Sequence, residues 1–237
     1  MSSDSKVFLD VYIGDRDAHA SGQADYEATC ALLSKNAAIY GLPSSPADLT
    51  EEQQQILSEL DSTLEMRFSP PQPLCAGRLV FSLVSSPGLA KTSGNFVALC
   101  TGEKGPCKNA PNKKLHYLDC PIHRIVKGFV AQGGDVTRGD GSGGESIYGG
   151  KFNDEKEGLK RKMRGSLAMA NSGKNTNSSQ FFVVLTNDEN KLAKMNGKYV
   201  TFGDLDSGWE VLDRLDEVGS GDGRPTIPVW IGECGKC

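Results

Sequence analysis

From residue 116 to residue 206 short apolar runs alternate with glycine-rich turns. Strands of this length at such even spacing must share a sheet to bury anything, so the region reads as a barrel or sandwich. Two strands stand before it. Residues 6–13, KVFLDVYI, alternate so that Val7, Leu9, Val11 and Ile13 share one face, and residues 78–84, RLVFSLV, do the same with Leu79, Phe81 and Leu83. A last strand, IPVWIGEC, closes the chain.

Residues 14–74 have another character. A helix is expected over about 24–40, stopping at Gly41 with Pro43 beyond. A second begins at Thr50, where Thr50 and Gln53 fit a capping box, and Ile56, Leu57, Leu60 and Leu64 form its stripe. Hairpin connections usually take two to five residues, so this segment is a helical hairpin inserted between the first two strands. The chain is otherwise read as one domain over residues 1–237 with two more helices. One carries Leu89, Thr92, Phe96 and Leu99 and ends near Gly102. The other starts at Ser207, with Ser207 and Glu210 as a second capping box, a stripe of Val211, Leu212, Leu215 and Val218, and Gly219 as its end.

Charge and composition narrow the function classes. With 26 Lys and Arg against 30 Asp and Glu, the net charge of −4 argues against binding nucleic acid through a general basic field. No apolar run approaches the roughly 18 residues that span a bilayer, so no membrane partner is expected. The start, MSSDSKVFLD, lacks the basic and apolar regions of a secretory leader, and IGECGKC is not a lipidation box. A cytoplasmic protein is the expectation. The seven cysteines are odd in number and widely spaced, which suits thiols rather than a disulfide framework.

Several motifs resemble chemistry without its context. Gly139, Gly141 and Gly144 satisfy G-x-G-x-x-G, but no strand and helix flank them, so a tight glycine turn is the reading. Cys234 and Cys237 form C-x-x-C without two further ligands at zinc spacing, so no metal is expected. No G-x-S-x-G is present, and His19, His116 and His123 are the only histidines; nothing points to a hydrolase.

Three segments carry the functional reading: IHRIVKGFVAQGGD at 122–135, GSLAMANSGKNTNSSQFFVVLT at 165–186, and GKYVTFG at 197–203. On β-structure they offer one arginine, two glutamine or asparagine amides, and aromatic or aliphatic side chains, with no pair of carboxylates, thiols or histidines. That set suits a reaction needing only binding and polarisation. With KTSGNFVALCTGEKG and GGESIYGGKF, these segments in this order resemble the cyclophilins, peptidyl-prolyl cis–trans isomerases, over roughly residues 5–13 and 75–235. The resemblance implies a mainly β fold, an eight-stranded antiparallel closed barrel capped by two helices, here with the inserted hairpin. It implies rotation of X–Pro bonds in peptides and unfolded or client proteins, without a cofactor. The barrier, about 18–20 kcal/mol, comes from amide resonance, and a 10⁵-fold acceleration requires only about 7 kcal/mol. By resemblance Arg124 is the catalytic arginine, donating to the prolyl nitrogen, and Gln132 hydrogen-bonds the substrate carbonyl and helps hold Arg124. Phe129, Val130 and Phe182 grip the proline ring. Ala170 and Asn171 pair with the extended peptide, and Gln180 lies at the neighbouring subsite.

Two departures stand out. Most family members place a tryptophan and an aliphatic residue shortly before the GK-H-V-FG segment. Here the stretch is NDENKLAKMNGKYVTFG, longer by about four residues. Met195 supplies the aliphatic wall, Lys194 or a neighbour falls at the tryptophan, and Tyr199 replaces the usual histidine. The tryptophan donates to cyclosporin in the family, so weak drug binding is expected. The loop EKGPCKNAPNKKLHY at 103–117 resembles that of the divergent-loop subgroup, which implies loop-anchoring roles for His116 and Glu145 and a redox pair of Cys100 and Cys234. An alternative remains open: a catalytically weak cyclophilin-like adaptor that binds peptides and docks a partner through its helical insertion.

Overall fold

The computed structural model describes residues 5–160 and 162–237; the first four residues, part of the start inspected for a leader, lie outside the described residues. The strands are β1 (Lys6–Ile13), β2 (Cys75–Leu83), β3 (Arg124–Val126), β4 (Val130–Gly133), β5 (Ser166–Met169), β6 (Phe181–Val184), β7 (Thr201–Ser207) and β8 (Val229–Lys236). They form one antiparallel sheet in the order β3-β4-β6-β5-β7-β2-β1-β8. The helices are α1 (Arg16–Tyr40), α2 (Glu51–Leu60), α3 (Ala90–Thr101), α4 (Glu189–Ala193) and α5 (Trp209–Glu217). None is long and apolar enough to cross a membrane among the described residues.

The sheet is an open half-barrel, which corrects the expected closed barrel. Its edges, β3 and β8, share no ladder. Instead the chain just before β3 touches β8 through one bridge, Pro121 opposite Trp230, with Ile122 N–H on Val229 O at 2.9 Å and Ile231 N–H on Cys120 O at 3.0 Å. Proline has no N–H to donate, so a regular ladder cannot run through Pro121.

The main core follows from strand alternation. Val7, Leu9 and Val11 of β1 and Leu79, Phe81 and Leu83 of β2 turn to one side. Onto them pack Phe96, Leu99 and Cys100 of α3 and Val211, Leu212 and Leu215 of α5. Phe96 centres an aromatic group, with Tyr117, Phe181 and Phe202 at ring-centroid distances of 5.1–5.2 Å. Arg78 lies opposite Asp10 and forks onto its two oxygens at 2.7 and 2.8 Å, fixing the β1–β2 register.

The chain divides into two compact units, one running up to Ile13 and over Cys75–Cys237, the other Gly14–Leu74. In the second, the Thr50 capping box forms as expected, with both reciprocal bonds present. Leu33, Leu49 and Leu57 make its apolar centre, whereas Ile56 is exposed and Leu64 falls past the end of α2. Helix α1 begins eight residues before the expected start, capped by Asp15, whose carboxylate accepts from Asp17 N–H and Ala18 N–H. The capping box expected at Ser207 does not form. Ser207 ends β7, and Gly208 turns the chain at φ 96° because a Cβ there would strike the Arg78 carbonyl. Gly219 is likewise not the cap of α5; Val218 is.

Candidate functional site

Strand pairing brings the candidate residues into line before any side chain is considered. Residues directly opposite in an antiparallel ladder point to the same face. Arg124 is opposite Gln132, Gln132 opposite Phe182, and Phe182 opposite Ala168. These four make one row across β3, β4, β6 and β5. Their chain neighbours Ile125, Ala131, Val183 and Leu167 make the next row, on the opposite face, and belong to the main core. A register slip of one residue would exchange the rows.

The outer row carries a second apolar cluster, separate from the first. Val130, Ala168, Ala170, Phe182, Val184, Leu192 and Met195 are buried in it, with Phe129 and Tyr199 partly covered against them. Six residues chosen from sequence therefore meet here. Phe129 is offered by the β3–β4 turn, where Gly128 takes φ 63° and Phe129 N–H bonds Val126 O at 2.9 Å. Tyr199 stands edge-on to Phe182, with centroids 5.2 Å apart and planes at 86°. Phe182 is 4% and Met195 3% exposed, whereas Phe129 and Tyr199 are half-buried, so the cluster is most accessible at the latter two.

At the end of the row Arg124 is exposed and rests its stem on Gly223, where a Cβ would lie 3.1 Å from Nε. Its guanidinium forms no ion pair with a described residue. Burial, with the Arg124 charge acting the same way, holds neighbouring His123 below the ordinary histidine range against the opposing charges of Asp135 and Asp140. Gln132 and Arg124 are ladder partners; the Gln132 amide donates not to that side but to Gln180 Oε1 at 2.9 Å. Gln180 in turn donates to Gly141 O and Gly143 O at 2.9 and 2.8 Å.

The G-x-G-x-x-G stretch is thus a braced turn. Gly139, Gly141 and Gly144 take φ of 80°, 90° and 109°, and the buried Asp135 carboxylate accepts from Arg138, Gly141 and Gly143 N–H at 2.9–3.0 Å. A cavity of about 160 Å³ lies between this turn and Ala170–Ser172, with Gln132 and Gln180 in its wall. Ala170 N–H is already bonded to Gln180 O at 2.9 Å, so of the two residues assigned to peptide pairing only Asn171 has its N–H to offer. The Asn171 side chain ties the wall behind it, donating to Lys198 O at 2.9 Å.

The remaining candidates lie at the 103–117 loop, away from the row. Buried Glu145 accepts Lys108 N–H at 2.7 Å and Asn109 N–H at 2.8 Å, which pins the loop. His116 Nε2 sits 3.2 Å from Cys100 O and 3.5 Å from Cys234 Sγ. Gly102 lies under its ring at φ 68°, where a Cβ would come 2.9 Å from the imidazole Cγ. Cys100 and Cys234 are free thiols. Burial pushes Cys100 well above the ordinary thiol range and Cys234 up to about 12, which keeps both protonated.

Sequence reasoning missed Ala168, Val184, Leu192 and Lys162. Leu192 enters the cluster because α4, capped by the Asp188 side chain, turns it inward, while Lys194, at the expected tryptophan position, is exposed. Lys162 is buried under the 195–199 turn, its Nζ bonded to backbone carbonyls. The spacing Asp188 to Leu192 was the available signal for α4; a lysine in KRKMR carries no sign of burial. A sequence model described as cyclophilin type peptidyl-prolyl cis-trans isomerase/CLD matches residues 69–236, well over half of the chain. With that match over most of its length, and an arginine, braced amides and an apolar cluster on one face of the sheet, the chain belongs to the cyclophilin-type peptidyl-prolyl cis–trans isomerases.

Proposed function

We propose that X–Pro bonds are turned over the row Arg124, Gln132, Phe182, with the proline ring held between Phe129 and Tyr199 against Phe182 and Met195. The observation that carries this reading is the register that puts the arginine and the second apolar cluster on the same face of the sheet. Twisting the bond takes the nitrogen lone pair out of conjugation. A guanidinium aimed at that nitrogen stabilises the pyramidal form, and its fixed fork of donors suits the task better than a lysine would. The second N–H of the Gln132 amide is left to meet the substrate carbonyl, since its other is held by Gln180. Asn171 extends the peptide as an added strand. No bond is made or broken, and no cofactor is required. The clients in this reading are proline-containing peptides and unfolded chains.

The test is NMR exchange on a proline-containing tetrapeptide. Arg124→Ala should lower kcat/KM on the order of 10²–10³-fold, as loss of one transition-state donor does. Equal exchange rates for variant and wild type would sink the assignment. Cyclosporin binding should be weak, because the exposed Lys194 stands where the family's donor tryptophan is expected. Submicromolar inhibition would refute that part alone.

A further inference from the structure

Lys162 is 1% exposed, the only buried basic side chain among the described residues. Its Nζ donates to Tyr199 O at 3.0 Å, Lys160 O at 3.3 Å and Met195 O at 3.5 Å, one acceptor for each of its three N–H groups. Two of these acceptors start and end the turn 195–199. The side chains of the same two residues, Met195 and Tyr199, form one wall of the outer cluster. Neighbouring charges on its own segment are engaged elsewhere, Lys160 with Glu157 at 3.7 Å and Arg164 with Asp213. Burial alone shifts the ammonium, lowering its pKa to about 8.

A buried ammonium without a counter-ion is costly, and here the cost is offset only by the carbonyls it binds, which an apolar side chain would leave without that donor. The lysine is therefore tied to the turn rather than to a charge partner. We propose that Lys162 is a positioning residue of the proline site: by drawing the Met195 and Tyr199 carbonyls onto one ammonium, it sets the separation between that wall and Phe182, and so the width of the slot. The inference rests on the reading of that cluster as the proline site. The Asn171 bond to Lys198 O holds the same turn from the substrate side, so the turn is clamped on two sides and Tyr199 cannot drift from Phe182 without breaking one clamp.

Lys162→Met keeps the length of the side chain and removes the donors. Three quantities should be measured: the melting midpoint, kcat and KM separately by NMR exchange, and amide hydrogen exchange over residues 196–200. The expected result is a KM raised roughly five- to tenfold with kcat changed less than about twofold, and faster exchange across the turn, whichever way the midpoint moves. A lysine that merely supports the fold would instead lower the midpoint and leave KM alone; that pattern, or wild-type KM at wild-type stability, overturns the inference. If the methionine variant does not fold, Lys162→Gln, which keeps two donors, is judged by the same KM criterion. Arg124→Ala runs alongside. If it falls while Lys162→Met matches wild type, only the Lys162 inference fails; if it does not fall, the reading of the site fails and takes the inference with it.

Discussion

Phe181 and Phe182 are chain neighbours of the same chemical type, and the pleat of β6 sends them to opposite faces. Phe181 is 1% exposed and packs edge-on against Phe96 and Tyr117, both at 5.2 Å. Phe182 is 4% exposed and meets Tyr199. Burial hardly distinguishes them; what covers them does. The inner phenylalanine lies against helix α3 and the Tyr117 ring, inside the main core. The outer one lies against residues of the β3–β4 turn, the short helix α4 and the 195–199 turn, in the smaller second cluster. Adjacent residues of one strand thus serve the main core and the proposed proline site.

Substitutions break this comparison at its strongest point. Phe181→Ala should lower unfolding free energy by about 3–5 kcal/mol, as removal of a fully packed aromatic does. Phe182→Ala should cost less stability, because turns can settle into the gap, yet should lower kcat/KM by about tenfold or more under conditions where it remains folded. Urea titration and NMR exchange on both variants decide it; a Phe182→Ala protein less stable than Phe181→Ala but fully active per folded molecule would erase the distinction.

A smaller effect sharpens it, since the outer side carries a buried titration. Lys162 binds its proton with a pKa of about 8 when folded, against 10.5 for an ordinary lysine. Between those values the unfolded chain holds more protons, so stability rises with pH across the window, and the penalty is fully present below it. Its ceiling is on the order of 3 kcal/mol. Wild type should therefore gain stability relative to Lys162→Met between pH 7 and pH 10. A stability gap that stays constant between those two pH values would show that the ammonium bears no burial penalty.

Much of this was legible from residues alone. Alternation along β1 and β2, the Thr50 capping box and the arginine, glutamine and phenylalanine of the outer row all depend on local pattern or on long motifs. What escaped depends on distant neighbours. Helix α1 begins at Arg16, where Asp15 caps it, and runs on through SGQ; Gly22 there lies against the Arg67 guanidinium, whose Nη1 would be 2.9 Å from a Cβ, and that neighbour is 45 positions away in the chain. Ser207 and Glu210 have the spacing of a capping box, but Ser207 is claimed by β7. Barrel closure is stopped at Pro121, whose partner on β8 no local rule supplies. Lys162 reads as part of a solvated basic run until the 195–199 turn folds over it.

The pairing of Tyr12 with Cys75 leaves the two strand ends side by side where residues 14–74 depart and return. Closing about sixty residues across so narrow a gap, rather than four, adds only about 2 kcal/mol of chain entropy, and the segment brings an apolar centre of its own. The Asp10–Arg78 clamp stands two positions inside that doorway. A sheet with such a port can acquire, exchange or shed its passenger over evolutionary descent while the strands bearing the proposed proline site, two to five places from β2 along the order, keep their register.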